Sequence, residues 1–212
     1  MVTTCVSAGA YTSPTISVAS EDKILFAFSK SFARILKELY KTQKFAEFYT
    51  DGETDVFQVG NIVALSDDMF AFRAFSINGD QIGVVAYSVN RISQIQTETK
   101  YIEKIKKLCD RDDYADISKN IDDDRIMQSL LETALGRKEI VSVKLLENDD
   151  YNIIGFPESV GDDECKFKII DEYGFEDGFA YAKISDISEL AFMTEKERRY
   201  LRLWKINASP RG

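Results

Sequence analysis

Two stretches of the chain, GVVAYSVNRISQI at residues 83–95 and GFAYAKISDISEL at residues 178–190, lie 95 positions apart and follow one pattern. Each begins with a glycine, continues with β-branched or aromatic residues typical of strands, and contains an Ile-Ser pair. The same offset aligns the flanking sequence without a gap. It pairs Leu36 with Leu131, Asp55 with Asp150, Gly60 with Gly155, Asp67-Asp68 with Asp162-Asp163, Phe72 with Phe167, Gly79 with Gly174, Thr99 with Thr194 and Leu108 with Leu203.

Several of these shared residues are the glycines and aspartates that tight turns need, because a positive φ or an Asx turn restricts the choice of residue. A chance alignment would scatter its identities over positions that are not constrained in this way. We therefore predict that one unit of about 95 residues occurs twice in tandem.

Each unit is predicted to contain a helix, four or five short strands and a second helix, which makes an α+β chain. In the first unit, apolar spacings of three and four predict a helix over residues 20–41, and strand-like runs follow at 45–49, 56–65, 69–77 and 82–95. In the second unit, a helix that Gly136 ends precedes runs at 139–146, 151–160, 165–170 and 178–190. Thr194 and Glu197 form a capping-box pattern that opens the last helix.

The resulting organisation has four parts. Residues 1–19 carry no charge and are rich in small residues, so we expect a flexible tail. Residues 20–108 form the first helix-barrel-helix repeat and residues 122–208 the second. Residues 109–121 between them are polar and acidic and are predicted to be an exposed linker.

The order of elements resembles the Sm-like small barrel, in which a helix precedes a strongly bent five-stranded antiparallel sheet. The run from Gly178, with Ile184, Ile187 and Leu190, is similar to the stretch where Sm-like sequences enter their last strands. An SH3-like barrel or a helix-decorated roll would give much the same pattern. Sm-like RNA binders use an Asn in one loop and an Arg-Gly or Lys-His in another. Here only Arg91 lies near the second place, and Asp186 is its counterpart in the other half.

The amino-acid composition excludes several classes of enzyme and of metal site. The chain of 212 residues contains no histidine, which removes Ser-His-Asp and Cys-His catalysis and the common zinc sites. We expect no catalytic residues, no cofactor and no bound metal. The three scattered cysteines fit a reducing compartment, and no run is long and apolar enough for a membrane span. We therefore expect a cytoplasmic protein.

The charge is strongly acidic and unevenly distributed. The formal net charge is −9, and residues 147–177 hold eleven acidic residues and two lysines. An acidic protein is repelled by nucleic-acid phosphates, so we expect another protein as the partner rather than RNA. The acidic stretch is either a solubilising face or a surface that steers a basic partner.

Two groups of residues are candidates for a site. The paired acids Asp67-Asp68 and Asp162-Asp163 occupy the same hairpin in both units, where they either serve the turn or contact a cation. The closing segment is basic with interleaved aromatics and could clamp phosphate and stack a base, or simply form a solvated helix face. Its candidate contacts are Arg198, Arg199, Arg202, Trp204 and Lys205.

These observations favour a non-catalytic binding or adaptor module with a protein-interaction surface. Two alternatives remain open at this point. One is an Sm-like RNA-binding protein that uses the basic C-terminal helix, and the other is an enzyme or small-ligand binder with a carboxylate site between the repeats.

Overall fold

The computed structural model describes residues 21–51, 57–109, 121–146 and 153–209, with side chains in the first helix from Phe32 onward. Four helices and ten strands lie within these ranges. The helices are α1 (Glu21–Thr42), α2 (Lys100–Leu108), α3 (Ile126–Arg137) and α4 (Glu195–Ala208). The strands are β1 (Phe45–Thr50), β2 (Gln58–Leu65), β3 (Met69–Phe75), β4 (Gln81–Ser88), β5 (Ile92–Thr97), β6 (Val141–Leu145), β7 (Ile153–Val160), β8 (Glu164–Ile170), β9 (Glu176–Lys183) and β10 (Ile187–Phe192).

All ten strands belong to one antiparallel sheet in the order β5-β1-β2-β3-β4-β10-β6-β7-β8-β9. This confirms the α+β class with an antiparallel sheet. The sheet is not closed, since β5 and β9 form its two edges in the part of the chain that the structure describes. Two separate barrels and a tandem duplication therefore stay predictions. The predicted tail and residues 110–120 of the predicted linker lie outside the described residues.

The strand registers of residues 21–109, the first half, recur in residues 121–209, the second half. Gly60 pairs with Ala74 between β2 and β3, and Gly155 pairs with Ile169 between β7 and β8. The register shifts once in each of these ladders, between Ile62 and Ala64 in the first half and at the positions 95 further on in the second. We call residues 95 positions apart counterparts.

The prediction of one continuous strand near the end of each half was wrong. The sequence predicted continuous runs at residues 82–95 and 178–190, but a 3-10 turn interrupts each of them. The backbone N–H of Val89 donates to the carbonyl of Asp68 at 2.7 Å, and that of Ile184 donates to Asp163 at 2.9 Å. These bonds turn the chain away from β4 and β9, so that β5 pairs with β1 and β10 pairs with β6.

Two main cores cover the sheet. The core beneath α1 uses buried residues that come mainly from the first half, including Leu36, Leu39, Phe48, Phe70, Phe72, Val85 and Tyr87. The core beneath α3 takes residues from both halves, including Leu130, Leu131, Val143, Phe167, Leu190 and Phe192 together with Val63, Ala71, Val84 and Ala86. Helix α3 therefore joins the two halves through shared apolar burial.

A buried carboxylate anchors the second helix of each half. Glu47 on β1 accepts hydrogen bonds from the hydroxyl groups of Thr99, the N-cap of α2, and of Tyr49, the latter at 3.2 Å. In the second half the carboxylate comes from the helix instead, because Glu197 accepts from the Ser142 hydroxyl at 2.5 Å and from the Thr194 backbone N–H at 2.9 Å. The latter contact confirms the capping box predicted at the start of α4.

The end of α3 differs from the sequence expectation. Gly136 was predicted to end the helix, but it lies inside α3, and Lys138 adopts the left-handed conformation at φ 56°. The Lys138 backbone N–H donates to the carbonyl of Leu135 at 3.1 Å. A non-glycine residue therefore provides the C-cap, at a position where the backbone bond offsets the usual penalty of positive φ.

We expect Gly155→Ala to destabilise the protein by about 3 kcal/mol, because the backbone of the adjacent strand cannot move away from the added methyl group. A Cβ at Gly155 would lie 2.0 Å from the Lys168 carbonyl oxygen on the adjacent strand. The matched control is Gly136→Ala, where a Cβ meets nothing within 4 Å and the helix should gain about 0.5 kcal/mol. Urea denaturation measures both, and equal losses would contradict the account.

Candidate functional site

The outer edge of the second half exposes two aromatic side chains. Phe179 is 52% and Tyr181 is 69% exposed, and as alternate residues of β9 they lie on one face of the strand. The intervening residues Ala180 and Ala182 contact the core beneath α3. No strand pairs with the outer side of β9 among the described residues. We call this β9 surface the aromatic edge.

The counterpart strand β4 shows what such an edge looks like when it is covered. Val84 and Ala86 are the counterparts of the two exposed aromatics and are fully buried in the core beneath α3. They are covered because β10 pairs with β4, placing Phe192 opposite Val84 and Leu190 opposite Ala86. The aromatic edge thus exposes apolar side chains at the two positions that β4 buries.

The hairpin that leads into the aromatic edge is acidic. Glu172, Glu176 and Asp177 are exposed on the β8–β9 hairpin. Lys168 on β8 forms ion pairs with Glu158 at 3.3 Å and Glu176 at 3.4 Å, and the hydrogen bond that it donates to Glu158 raises the pKa of this lysine. This lysine is therefore already neutralised, and the hairpin keeps its excess of negative charge.

Lysines of the chain itself flank the aromatic edge, because Lys166 and Lys168 on β8 lie opposite Tyr181 and Phe179, and Lys183 follows them on the same face of β9. The Lys166 Nζ lies 3.9 Å from the centroid of the Phe179 ring. A cation over an aromatic face is attracted by about 0.5–1 kcal/mol at an exposed site. This contact shows that the exposed ring already binds a basic side chain of its own chain.

The predicted paired acids lie at the β2–β3 and β7–β8 turns. Asp67 forms an exposed ion pair with Lys37 on α1 at 3.7 Å, and Asp162 forms one with Arg125 at 3.6 Å. Asp68 and Asp163 accept backbone hydrogen bonds through their carbonyls, as described above. No group of three or more acidic or cysteine side chains able to hold a metal occurs within the described ranges. A cation contact at these turns stays a prediction.

The predicted contact residues of α4 do not all lie on one face of the helix. Arg198, Arg199 and Arg202 are exposed, and Arg199 lies beside Tyr200 with its guanidinium 6.0 Å from the ring centroid. Trp204 turns inward and packs edge-on against Phe156 of β7, with ring centroids 4.9 Å apart. The structure therefore turns Trp204 away from the arginines, whereas Lys205 follows Arg198 and Arg202 at helical spacing on the same exposed face of α4.

Trp204 and Lys205 line a cleft of about 580 Å³ between α3, β7 and α4. We call it the α3–α4 cleft. Sequence reasoning missed its other residues, although Phe156 carried a signal, because its counterpart is the polar Asn61. The other lining residues are Leu135, Arg137, Lys138, Glu139, Phe156, Pro157, Glu158, Lys168 and Leu201.

A charge cluster joins the two halves beside the ladder between β4 and β10. Arg91 donates to Asp51 through Nε at 2.8 Å and to Glu189 of β10 at 2.7 Å. Lys144 Nζ lies 3.8 Å from Asp51 and 4.0 Å from Glu189. The hydrogen bond from Arg91 lowers the pKa of Asp51, and both carboxylates raise the pKa of Arg91 against the opposing effect of burial.

This cluster assigns a structural contact to Arg91, the residue nearest the Sm-like RNA-binding position. Its guanidinium is committed to two carboxylates, and its side chain is only 12% exposed. Nothing in the sequence pointed to the Glu189 contact, because the two residues are 98 positions apart.

Cys165 was predicted to be a buried hydrophobe. The residue is buried in the core beneath α3, and burial raises the pKa of its thiol to about 12. A thiol with this pKa is not a nucleophile at neutral pH, because the thiolate is the reactive form.

Comparison of the chain with protein-family models, with curated proteins and with solved structures gave no match. None of the helices within the described ranges has the length and apolar character needed to cross a bilayer.

We expect Arg91→Met to reduce the free energy of unfolding by about 3 kcal/mol at pH 7, because it leaves the buried Glu189 carboxylate without its closest cation. Asp51 has a lowered pKa, so its contribution is present above the unfolded pKa of about 4 and is lost as pH falls through the folded pKa. The difference between wild type and variant should therefore shrink on acidification, as measured by urea denaturation from pH 7 downward.

Arg34→Met is the matched control for this experiment, since Arg34 is exposed on α1 and its loss should cost under about 0.5 kcal/mol. A destabilisation by Arg91→Met that stays constant down to acid pH would contradict the role of the carboxylates.

Proposed function

We propose that this chain is a non-catalytic protein-binding module whose aromatic edge receives an extended segment of a partner protein as an additional strand. The observation that carries this proposal is the exposure of Phe179 and Tyr181 on an unpaired edge strand. Edge strands offer unpaired backbone groups, and partners that add a strand gain affinity from the backbone and specificity from alternate side chains.

The pairing of β4 with β10 supports this proposal, because it is an example within the chain of one half adding a strand to the other. We propose that the two halves are duplicated Sm-like units, each with a bent five-stranded sheet, because registers and bulges recur between counterparts. In this view β4 would be an edge strand of the first unit, and β10 is the strand that pairs with it. Strand β9 is the counterpart of β4 and lacks such a strand among the described residues.

The chemistry beside the aromatic edge favours a basic partner over a second copy of the chain. In the first half, the apolar residues Val63, Ala64 and Ala71 of β2 and β3 are buried in the core beneath α3. Their counterparts are Glu158, Ser159 and Lys166, which are polar. A second copy that docked on β9 would therefore find no apolar surface there on which to pack its own α1. The excess of acidic residues on the β8–β9 hairpin instead attracts the basic side chains of an extended segment that continues past this hairpin.

The opposite edge of the sheet is a weaker candidate. The exposed residues of β5 include Ser93, Gln94 and Thr97, which are polar. Polar edges resist pairing with other chains because they add little apolar burial to the backbone bonds. The asymmetry between β5 and β9 thus points to β9 as the receiving edge.

Fluorescence anisotropy with two labelled strand-forming peptides tests the proposal. One peptide alternates Lys with Val and the other alternates Glu with Val. We expect the basic peptide to bind and the acidic one not to bind. The double variant Phe179→Ser/Tyr181→Ser should weaken binding about 10-fold or more, a free-energy loss of about 1.4 kcal/mol or more.

Ile77→Ser is the matched control, because Ile77 is similarly exposed but lies in the β3–β4 turn. Equal binding of the two peptides, or unchanged binding by the double variant, would refute the proposal. Sedimentation of the free protein provides a further check. A dimer that the double variant abolishes would identify a second copy as the occupant and overturn the proposed basic partner.

A further inference from the structure

We propose that the α3–α4 cleft binds a small planar aromatic ligand that carries a phosphate monoester. This site is separate from the aromatic edge and independent of the function proposed above. It is built by α3, β7 and α4, and its volume of about 580 Å³ lies within the usual range for small-molecule sites.

The floor of the cleft is apolar and aromatic. Trp204 and Phe156 meet edge-on at 4.9 Å between centroids, and Leu135 and Leu201 line the cleft beside them. Trp204 is only half-buried, so part of its indole surface faces the cleft. A planar ring that stacks on an exposed aromatic face gains affinity, as bases do in the sites of single-strand-binding proteins.

The rim of the cleft is cationic within a chain that is acidic overall. Four basic residues and two acidic residues line the cleft, and Lys168 is already paired with Glu158. The remaining cations, Arg137, Lys138 and Lys205, have no hydrogen-bond or ion-pair partner for their side chains within the described ranges. Glu139 opposes one of these three cations, which leaves an excess of two positive charges for a phosphate dianion, and the planar guanidinium of Arg137 suits a phosphate group.

The counterpart positions in the first half show that the fold does not require this cleft. There Gln43, the counterpart of Lys138, donates to the Ile62 carbonyl at 2.9 Å and accepts from Asn61 at 2.9 Å. Asn61 is the counterpart of Phe156, and Cys109 is the counterpart of Trp204. The second half has thus replaced a hydrogen-bonded polar pair with an aromatic floor and a cationic rim.

Titration of adenosine 5′-monophosphate into the full chain tests the proposal, with Trp204 fluorescence as the readout. Trp204 is the single tryptophan, so the signal comes from the cleft. We expect saturable quenching at concentrations below about 1 mM, together with a rise in the melting temperature. Adenosine and ribose 5-phosphate should each bind at least about 10-fold more weakly, because each lacks one half of the recognised chemistry.

In two variants, a residue of the cleft is replaced by its counterpart from the first half. Lys138→Gln keeps the positive φ that Gln43 also adopts, at 52°, and should weaken binding about 10-fold through loss of charge. Phe156→Asn should weaken binding by a similar factor through loss of the aromatic floor. Arg199→Gln, on an exposed cation of α4 outside the cleft, should leave binding unchanged.

Three results would overturn the proposal. These are no quenching and no thermal shift with the nucleotide up to about 1 mM, equal affinity for ribose 5-phosphate, and equal losses from Lys138→Gln and Arg199→Gln. A single-stranded RNA oligomer that binds more than about 100-fold more tightly than the nucleotide would instead assign the cleft to RNA. None of these measurements depends on peptide binding at the aromatic edge, so the two proposals fail separately.

Discussion

Pairing between β4 and β10 is the contact on which the rest of the structure depends. Alternate residues along this ladder enter different cores: Leu190 lies opposite Ala86 in the core beneath α3, and Ala191 lies opposite Val85 in the core beneath α1. Because the ladder supplies both cores, separating the halves would expose apolar surface on both faces of the sheet. The Arg91–Glu189 ion pair lies at the end of the same ladder and adds a directional contact to this apolar burial.

The buried carboxylates illustrate how the two halves keep one physical constraint with different residues. Each half places a single carboxylate between its first strand and the N-terminus of its last helix, where the helix dipole favours negative charge. The first half uses Glu47 on the strand, with Ile102 on the helix, and the second uses Glu197 on the helix, with Ser142 on the strand. Two carboxylates would repel each other there, and none would leave buried hydroxyl groups unsatisfied. A coupled exchange of this kind supports the proposed common origin of the halves.

Local features were predictable from the sequence, and contacts between distant residues were not. Helix spacing, the capping box at Thr194 and the turn glycines depend on neighbouring residues, so they could be predicted. The 3-10 turn at Val89 depends on a bond to Asp68 across the sheet, and the position of Arg91 depends on a carboxylate in the other half. The α3–α4 cleft was not predicted, although Trp204 and Lys205 were named as candidate contacts, because most of its other lining residues come from elements outside α4.

One group of differences between the halves lies where the second half exposes positions whose counterparts in the first half are buried. Buried Val84 and Ala86 correspond to exposed Phe179 and Tyr181, and Val63 beneath α3 corresponds to Glu158. Loss of the covering strand would by itself select small polar residues at such an edge, since exposed apolar edges promote aggregation. Large aromatics combined with nearby acidic residues have a different physical effect. The acidic residues repel an identical edge of another copy, while the aromatics keep the apolar burial that the proposed partner strand would gain.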